Sequence, residues 1–150
     1  MKNINSKIRE KGRKVVLVGG CFDLLHYGHV KFLKEAKKLG DYLIVALESD
    51  ENVRRMKGPN RPIHPQRKRR EMLESLKFVN RVISLPPLKS DQEYFALVKK
   101  IKPQVVAVTE GDALIDKKRS QARLVEAKLV MLAKIHSPST SQLAKLLGLE

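Results

Sequence analysis

Residues 14–47 of the chain read KVVLVGGCFDLLHYGHVKFLKEAKKLGDYLIVAL, two short apolar runs on either side of an amphipathic stretch. The first run, Lys14 to Val18, is rich in β-branched residues and is closed by two glycines, so it predicts a buried strand. Apolar residues then recur at helical spacing from 30 to 39, and the second run, 42–47, predicts another strand. A strand, a helix and a strand within about thirty-five residues form the βαβ unit of a parallel sheet.

The rest of the 150 residues continues this alternation of apolar runs and helical segments. Continuous apolar strands between helices predict an α/β fold, a Rossmann-like three-layer sandwich with a mostly parallel sheet and helices on both faces. No repeat or linker divides the chain, so we expect a single domain over 1–150, with a basic lead-in at 1–13 and a core at 14–150. Strands are predicted at 81–85, 105–108 and 129–135, and helices at 5–13, 51–56, 66–77, 91–101, 120–128 and 141–147.

The chain is strongly basic, with 31 Lys and Arg against 16 Asp and Glu and a net charge of +15. This charge favours an anionic partner without choosing among nucleic acid, a phosphorylated small molecule and a merely solvated basic surface. Aromatic residues make up 5% of the chain and Trp is absent, which leaves few platforms for stacking bases. Nucleic acid is therefore the less favoured partner.

The single cysteine, Cys21, has no partner for an internal disulfide, which favours a reducing compartment. No apolar run is long enough to cross a bilayer. The first 14 residues, MKNINSKIREKGRK, lack the apolar stretch of a secretory signal. We therefore expect a cytoplasmic protein with no membrane partner.

The loop after the first predicted strand carries His26 and His29, with Gly28 between them. It matches neither the Gly-x-Gly-x-x-Gly dinucleotide fingerprint nor a Walker A loop. Two histidines three residues apart on the first turn of a helix face the same way, where protonated rings could donate to one bound anion. Capping or core histidines are the alternative interpretation. Two imidazoles without a third ligand make a weak metal site, so no metal-ligating residue is predicted.

Three segments carry a resemblance to a known family: GGCFDLLHYGHVKFLKEAKKLGDYLIVALESDENVRRMKG at 19–58, RPIHPQRKRREML at 61–73 and PSTSQL at 138–143. Together they resemble the cytidylyltransferase-like nucleotidyltransferase superfamily, which is characterised by a His-x-Gly-His motif. The similarity is greatest to the adenylyltransferase domain of the heptose-phosphate enzyme. Archaeal FAD synthase and glycerol-3-phosphate cytidylyltransferase are also similar.

The resemblance implies roles for individual residues. Cys21 is interpreted as a small apolar residue, because no candidate base adjoins it. The implied catalytic residues are His26, His29, Lys57 and Arg69. The implied nucleotide-binding residues are Gly20, Cys21, Phe22, Asp23, Gly28, His29, Gly111, Asp112, Ser139, Thr140 and Ser141.

The implied reaction transfers a nucleoside monophosphate to a phosphorylated small-molecule acceptor and releases pyrophosphate, with Mg²⁺ carried by the triphosphate. AMP from ATP is favoured, because Lys57-Gly58 and Arg61-Pro62-Ile63 resemble the adenylyl-transferring relatives. A CTP-dependent enzyme of the glycerol-3-phosphate type and an FMN adenylyltransferase are the alternatives, and the acceptor stays open. A homodimer is expected from the resemblance alone.

The chain departs from the glycerol-3-phosphate type at Lys134, where those enzymes carry an arginine, and at Ser141, which replaces a threonine. Residues 113–125 have no counterpart that we can place. Two other classes of protein remain open at this point. A nucleic-acid binder would use the basic stretch 54–70, and a catalytically idle nucleotide sensor would bind triphosphate without releasing pyrophosphate.

Overall fold

The computed structural model describes residues 12–136 and 138–149, so the predicted helical lead-in at 5–13 lies largely outside the described residues. The described chain forms five strands and six helices. The strands are β1 (Val15–Gly20), β2 (Tyr42–Leu47), β3 (Arg81–Ser84), β4 (Val105–Thr109) and β5 (Lys128–Leu132). The helices are α1 (Tyr27–Lys37), α2 (Asp50–Lys57), α3 (Gln66–Glu74), α4 (Asp91–Ile101), α5 (Ile115–Leu124) and α6 (Thr140–Leu146).

All four strand pairings are parallel, in the order β3-β2-β1-β4-β5. The chain moves outward from β1 through β2 to β3, and then crosses to the other side of β1 to add β4 and β5. In an open parallel sheet, the point at which the strand order reverses creates a crevice at the carboxyl ends of the strands. Here that crevice lies between β1 and β4, beside the loop that carries the two histidines.

The two faces of the sheet are covered by different helices. Val16 and Val18 of β1 pack with Leu33 of α1 on one face, where Leu73 of α3 joins them. Val15 and Leu17 belong to the other face, which is covered by Leu97, Val98 and Ile101 of α4. Because both faces of each central strand are buried, the strands carry continuous apolar runs rather than alternating ones. The predicted α/β sandwich is confirmed.

Gly40 lets the chain turn tightly between α1 and β2. A Cβ atom at this position would lie 2.6 Å from the carbonyl oxygen of Lys14, a backbone atom that cannot move aside easily. The same turn is closed by the Asp41 carboxylate, which accepts the N–H of Lys14 at 2.9 Å. These contacts align the start of β2 with the start of β1.

The largest errors in the predicted boundaries fall on α5 and β5. The sequence predicts a helix over 120–128 and a strand over 129–135, whereas the structure has α5 at Ile115–Leu124 and β5 at Lys128–Leu132. Glu126 adopts a left-handed φ of 57° and so turns the chain without a glycine. The helix predicted over 66–77 also ends early, at Glu74. None of the described helices has the length and hydropathy needed to cross a membrane.

Candidate active site

The loop after β1 contains two residues in the left-handed region of backbone space, Phe22 at φ 46° and Leu24 at φ 51°. Neither is a glycine, so each conformation costs about 1–3 kcal/mol. The ring of Phe22 is buried and lies 3.0 Å from the position that a Cβ atom on Gly20 would take. Gly20 therefore makes room for Phe22, and the loop is held in a strained, defined shape before helix α1 begins.

His26 and His29 form the N-terminal cap of α1. Nδ1 of His26 accepts the N–H of Gly28 at 3.0 Å, and Nδ1 of His29 accepts the N–H of His26 at 3.3 Å. Because both Nδ1 atoms accept a hydrogen bond, the neutral rings carry their proton on Nε2. The rings stack with centroids 3.9 Å apart. The capping role and the shared direction of the two rings, which the sequence left as alternatives, therefore occur together.

Both histidines are neutral in this structure. Burial lowers the pKa of His29 to about 3, with further lowering by His26 and Lys57. Burial also lowers the pKa of His26. Without a bound anion, burial and a neighbouring ring both disfavour the charge, and the pair presents neutral Nε2–H donors. Protonation of the rings beside a bound anion stays a prediction.

Lys57 brings a positive charge to the same place. It is the last residue of α2 and is exposed to solvent. Its charge lowers the pKa of His29. It also lowers the pKa of the Cys21 thiol, but burial has the larger effect and raises that pKa overall. A cation beside neutral donors at a helix N-terminus is suited to a bound phosphate. The raised pKa of Cys21 agrees with its interpretation as an apolar residue.

Asp23 is buried and holds the proline-containing segment 58–65. Its carboxylate accepts the N–H of Ile63 at 2.7 Å, the N–H of His64 at 3.0 Å and Nε of Arg61 at 2.8 Å. Burial alone would raise the pKa of Asp23, but the hydrogen bonds from His64, Ile63 and Arg61 lower it overall. With 1% of its surface exposed, Asp23 is positioned beneath the site.

Arg69 ties three segments together and is also 1% exposed. Its Nε donates to the carbonyl of His64 at 2.9 Å and its Nη1 to the carbonyl of Cys21 at 2.7 Å. Its Nη2 pairs with the Asp50 carboxylate at 2.7 Å. All three guanidinium nitrogens are thus engaged with the protein. Arg69 lies under the loops, whereas its neighbours Lys68 and Arg70 are exposed.

The other predicted nucleotide-binding residues lie after β4 and at the start of α6. Asp112 closes its own loop, because it accepts the N–H of Leu114 at 2.8 Å and pairs with Lys118 at 2.6 Å. Ser139 caps α6 by accepting the N–H of Gln142 at 3.1 Å. The hydroxyl of Ser141 accepts a hydrogen bond from Nη1 of Arg61 at 3.4 Å.

The contact between Arg61 and Ser141 connects α6 to Asp23. The structure therefore joins the start of α6 to the loop after β1. Gly111 adopts a φ of 80°, so the turn after β4 requires a left-handed residue.

The sequence interpretation missed a buried polar group beside β2. Glu48 follows the last residue of that strand, and its carboxylate accepts the hydroxyl of Tyr94 at 2.9 Å and Nδ2 of Asn52 at 3.1 Å. The only sequence signal for this group is an acidic residue, Glu48, directly after a continuous apolar run. The partner Tyr94 lies 46 residues away, so no local pattern connects the two.

Among residues 12–136 and 138–149, no group of three or more His, Cys, Asp or Glu side chains could hold a metal ion. A magnesium ion at this site would take its ligands from phosphate oxygens and water, as Mg²⁺ commonly does.

Comparisons with known proteins identify the family of the chain. The family model described as "Cytidylyltransferase-like" matches residues 17–141. The bifunctional protein HldE of a Nitratiruptor species is 42% identical over 109 residues, which are 73% of this chain and 22% of that protein. HldE of Sulfurimonas denitrificans is 46% identical over 109 residues, with the same shares. The chain thus spans about a fifth of the length of these relatives.

Two solved structures share the fold. The lipopolysaccharide core biosynthesis protein of Thermoplasma volcanium GSS1 superposes with a TM-score of 0.68 at 29% identity, over 83% of this chain and 99% of that one. The pantoate-beta-alanine ligase of Francisella tularensis reaches a TM-score of 0.62 at 16% identity, over 91% of this chain and 66% of that one, and supports the fold alone. Because the family model covers residues 17–141 of its 150, the chain belongs to the cytidylyltransferase-like family.

Proposed function

We propose that the protein transfers AMP from ATP to a phosphorylated small molecule and releases pyrophosphate. A sugar phosphate, with heptose 1-phosphate as the first candidate, is the proposed acceptor because of the resemblance to the heptose-phosphate adenylyltransferase domain. The observation that carries the proposal is the stacked pair His26 and His29 at the N-terminus of α1, with Lys57 close by.

The proposed reaction is an in-line substitution at the α-phosphorus of ATP. An oxygen of the acceptor phosphate forms the new P–O bond, and the bond from the α-phosphorus to the bridging oxygen of the β-phosphate breaks. Pyrophosphate leaves with that electron pair. No general base is needed, because a phosphate monoester is already an anion at neutral pH. Catalysis then depends on position and charge.

His26 and His29 donate through Nε2–H to oxygens of the triphosphate, and Lys57 supplies the nearby positive charge. Gly111 and Asp112 border the nucleotide on the β4 side, and Ser139, Thr140 and Ser141 at the start of α6 border it as well. Gly20, Cys21, Phe22 and Gly28 supply backbone close to it. Mg²⁺ travels with the triphosphate and neutralises part of its charge.

Asp23 and Arg69 act by position. The resemblance implies that these residues contact the ligand or the reacting groups, but both side chains are buried and engaged with the protein. We therefore propose that they hold the loop after β1 against segment 58–65.

The proposal extends to the setting of the protein. Use of ATP and a single cysteine both fit the cytoplasm. A homodimer is proposed from the resemblance to the family, and an analytical ultracentrifugation run would test it.

The test is pyrophosphate release in the presence of Mg²⁺, with ATP and CTP compared over heptose 1-phosphate, FMN and glycerol 3-phosphate. Release that requires ATP and one acceptor, and that disappears in His29→Ala, is the expected result. Release with CTP alone would contradict the choice of nucleotide. Binding of ATP with no release from any acceptor would favour a nucleotide sensor, and failure to bind a triphosphate would contradict the assignment of the histidines.

A further inference from the structure

Glu48 is a buried acid at the carboxyl edge of the sheet that the proposed reaction does not use. It directly follows the apolar strand β2, and 9% of its surface is exposed. Its N–H donates to the carbonyl of Gly20 at 3.0 Å, so it lies beside the loop after β1. Its charge contributes to the raised pKa of the Cys21 thiol, which agrees with that position.

The carboxylate of Glu48 is held from two sides. The hydroxyl of Tyr94, on α4, donates to Oε1 at 2.9 Å and lies 3.1 Å from Oε2. Nδ2 of Asn52, on α2, donates to Oε2 at 3.1 Å and also reaches the carbonyl of Leu88 at 2.9 Å. Burial and the charge of Glu48 raise the pKa of Tyr94, so the phenol stays protonated and remains a donor. The carboxylate is therefore fixed in direction.

This arrangement is costly for stability. A buried carboxylate loses the water that hydrates it in the unfolded chain, and a buried polar atom without a hydrogen-bond partner destabilises the folded state. Oδ1 of Asn52 is such an atom, since within the described part of the chain it has no hydrogen-bond partner. A fold that keeps these groups where an apolar side chain would pack indicates a functional requirement.

The location of Glu48 relates it to the acceptor. In the proposed function, Gly111 and Asp112 border the nucleotide on the β4 side of the histidine pair, so the acceptor takes the β2 side. The acceptor phosphate must reach the histidines and Lys57. A carboxylate attracts hydroxyl groups, which can donate to it, and repels phosphate. The part of the acceptor beside Glu48 must then carry hydroxyls.

We propose that Glu48, oriented by Tyr94 and Asn52, binds hydroxyl groups of the acceptor and thereby selects a sugar or polyol phosphate. The inference rests on the proposed function for the location of the acceptor. It adds a specificity-determining residue and the chemical class that this residue recognises.

The experiment measures acceptor binding separately from turnover. Heptose 1-phosphate, which carries hydroxyls, and phenyl phosphate, which carries none, are titrated into the full chain in the presence of a non-hydrolysable ATP analogue. The variants are Glu48→Gln and, as the matched control, Glu51→Gln, whose side chain is 57% exposed in the first turn of α2. A site built around a charged acceptor of hydrogen bonds loses about tenfold or more in affinity when that hydrogen bond is weakened.

Glu48→Gln is expected to lower the affinity for heptose 1-phosphate by about tenfold and the affinity for phenyl phosphate by no more than about twofold. Glu51→Gln is expected to leave both affinities unchanged. Equal losses for the two phosphates, no loss for either, or no binding of either to the unaltered protein would overturn the role of Glu48. Should Glu48→Gln fail to fold, Tyr94→Phe leaves the carboxylate in place and is expected to show the same selective loss in a milder form.

The failure of the proposed function has a separate signature. It is seen in the unaltered protein alone, as an absence of pyrophosphate release with every nucleotide and acceptor. The selective effect of Glu48→Gln on binding is read from the titrations and does not depend on release.

Discussion

The imidazole rings of His26 and His29 stack 3.9 Å apart, and each is fixed by a backbone N–H that it accepts through Nδ1. One arrangement thus caps helix α1 and fixes two Nε2–H donors. Two stacked imidazoliums would repel each other, so neutral rings are the stable form. The capping interaction and the proposed catalytic one use different nitrogens of the same rings.

His29→Ala is expected to lower kcat/KM for pyrophosphate release by about 10²–10³-fold, the range for the loss of one preorganised donor to a developing charge. The variant also removes the acceptor for the N–H of His26, so its melting temperature should be measured alongside. Lys34→Ala, an exposed position on the same helix, is the control and should keep full activity. Near-full activity of His29→Ala would contradict the role of the histidine pair.

The stability of the protein should fall as the pH decreases from about 6.5 towards 3. The pKa of His29 is lowered from 6.5 to about 3, so the unfolded chain binds a proton in this window that the folded protein excludes. The contribution of His29 to the free energy of unfolding is therefore fully present above pH 6.5 and is lost as the pH falls. Denaturant titrations at several pH values measure this slope. His29→Asn should flatten it, and an unchanged slope in that variant would assign the effect to other groups.

Arg69→Met should destabilise the fold by about 3–5 kcal/mol, because it leaves the buried contacts with Cys21, His64 and Asp50 unmade. Arg67→Met is the matched control. Arg67 pairs with Glu71 at 3.1 Å on the exposed face of α3, so its loss should change stability by about 0.5 kcal/mol or less.

A second readout separates the proposed positioning role of Arg69 from direct contact with substrate. Under conditions in which Arg69→Lys is folded, we expect a decrease in kcat with a small change in the KM for ATP. A large increase in that KM with unchanged kcat would favour direct contact with the triphosphate.

Asp23 and Arg61 should show strong coupling in a double-mutant cycle. Each single change, Asp23→Asn or Arg61→Met, leaves a buried partner without its counterpart and is expected to cost about 3–5 kcal/mol. The double variant should cost less than the sum by about 1 kcal/mol or more, because the two residues are in direct contact. Additive losses in urea titrations would contradict a shared network.

Elements with strong local signals could be predicted closely. The apolar run at 42–47 coincides with β2, and the helix predicted over 91–101 coincides with α4. Both histidines could be placed on one helix turn from their spacing of three. The boundary between α5 and β5 could not be predicted from the sequence, because Glu126 takes a left-handed conformation that glycine usually signals.

The sequence of this protein was sufficient for its fold class, its family and the position of its histidine pair, since periodicity and a contiguous motif report on neighbours along the chain. The tertiary structure decided how the site is supported. Asp23 meets Arg61 across 38 residues, Arg69 meets Cys21 across 48, and Glu48 meets Tyr94 across 46. Burial, which lowers the pKa of His29 and removes Arg69 from solvent, is likewise a property of the packed molecule. Local patterns carry no record of such distant contacts, because they arise only when the strands are assembled side by side.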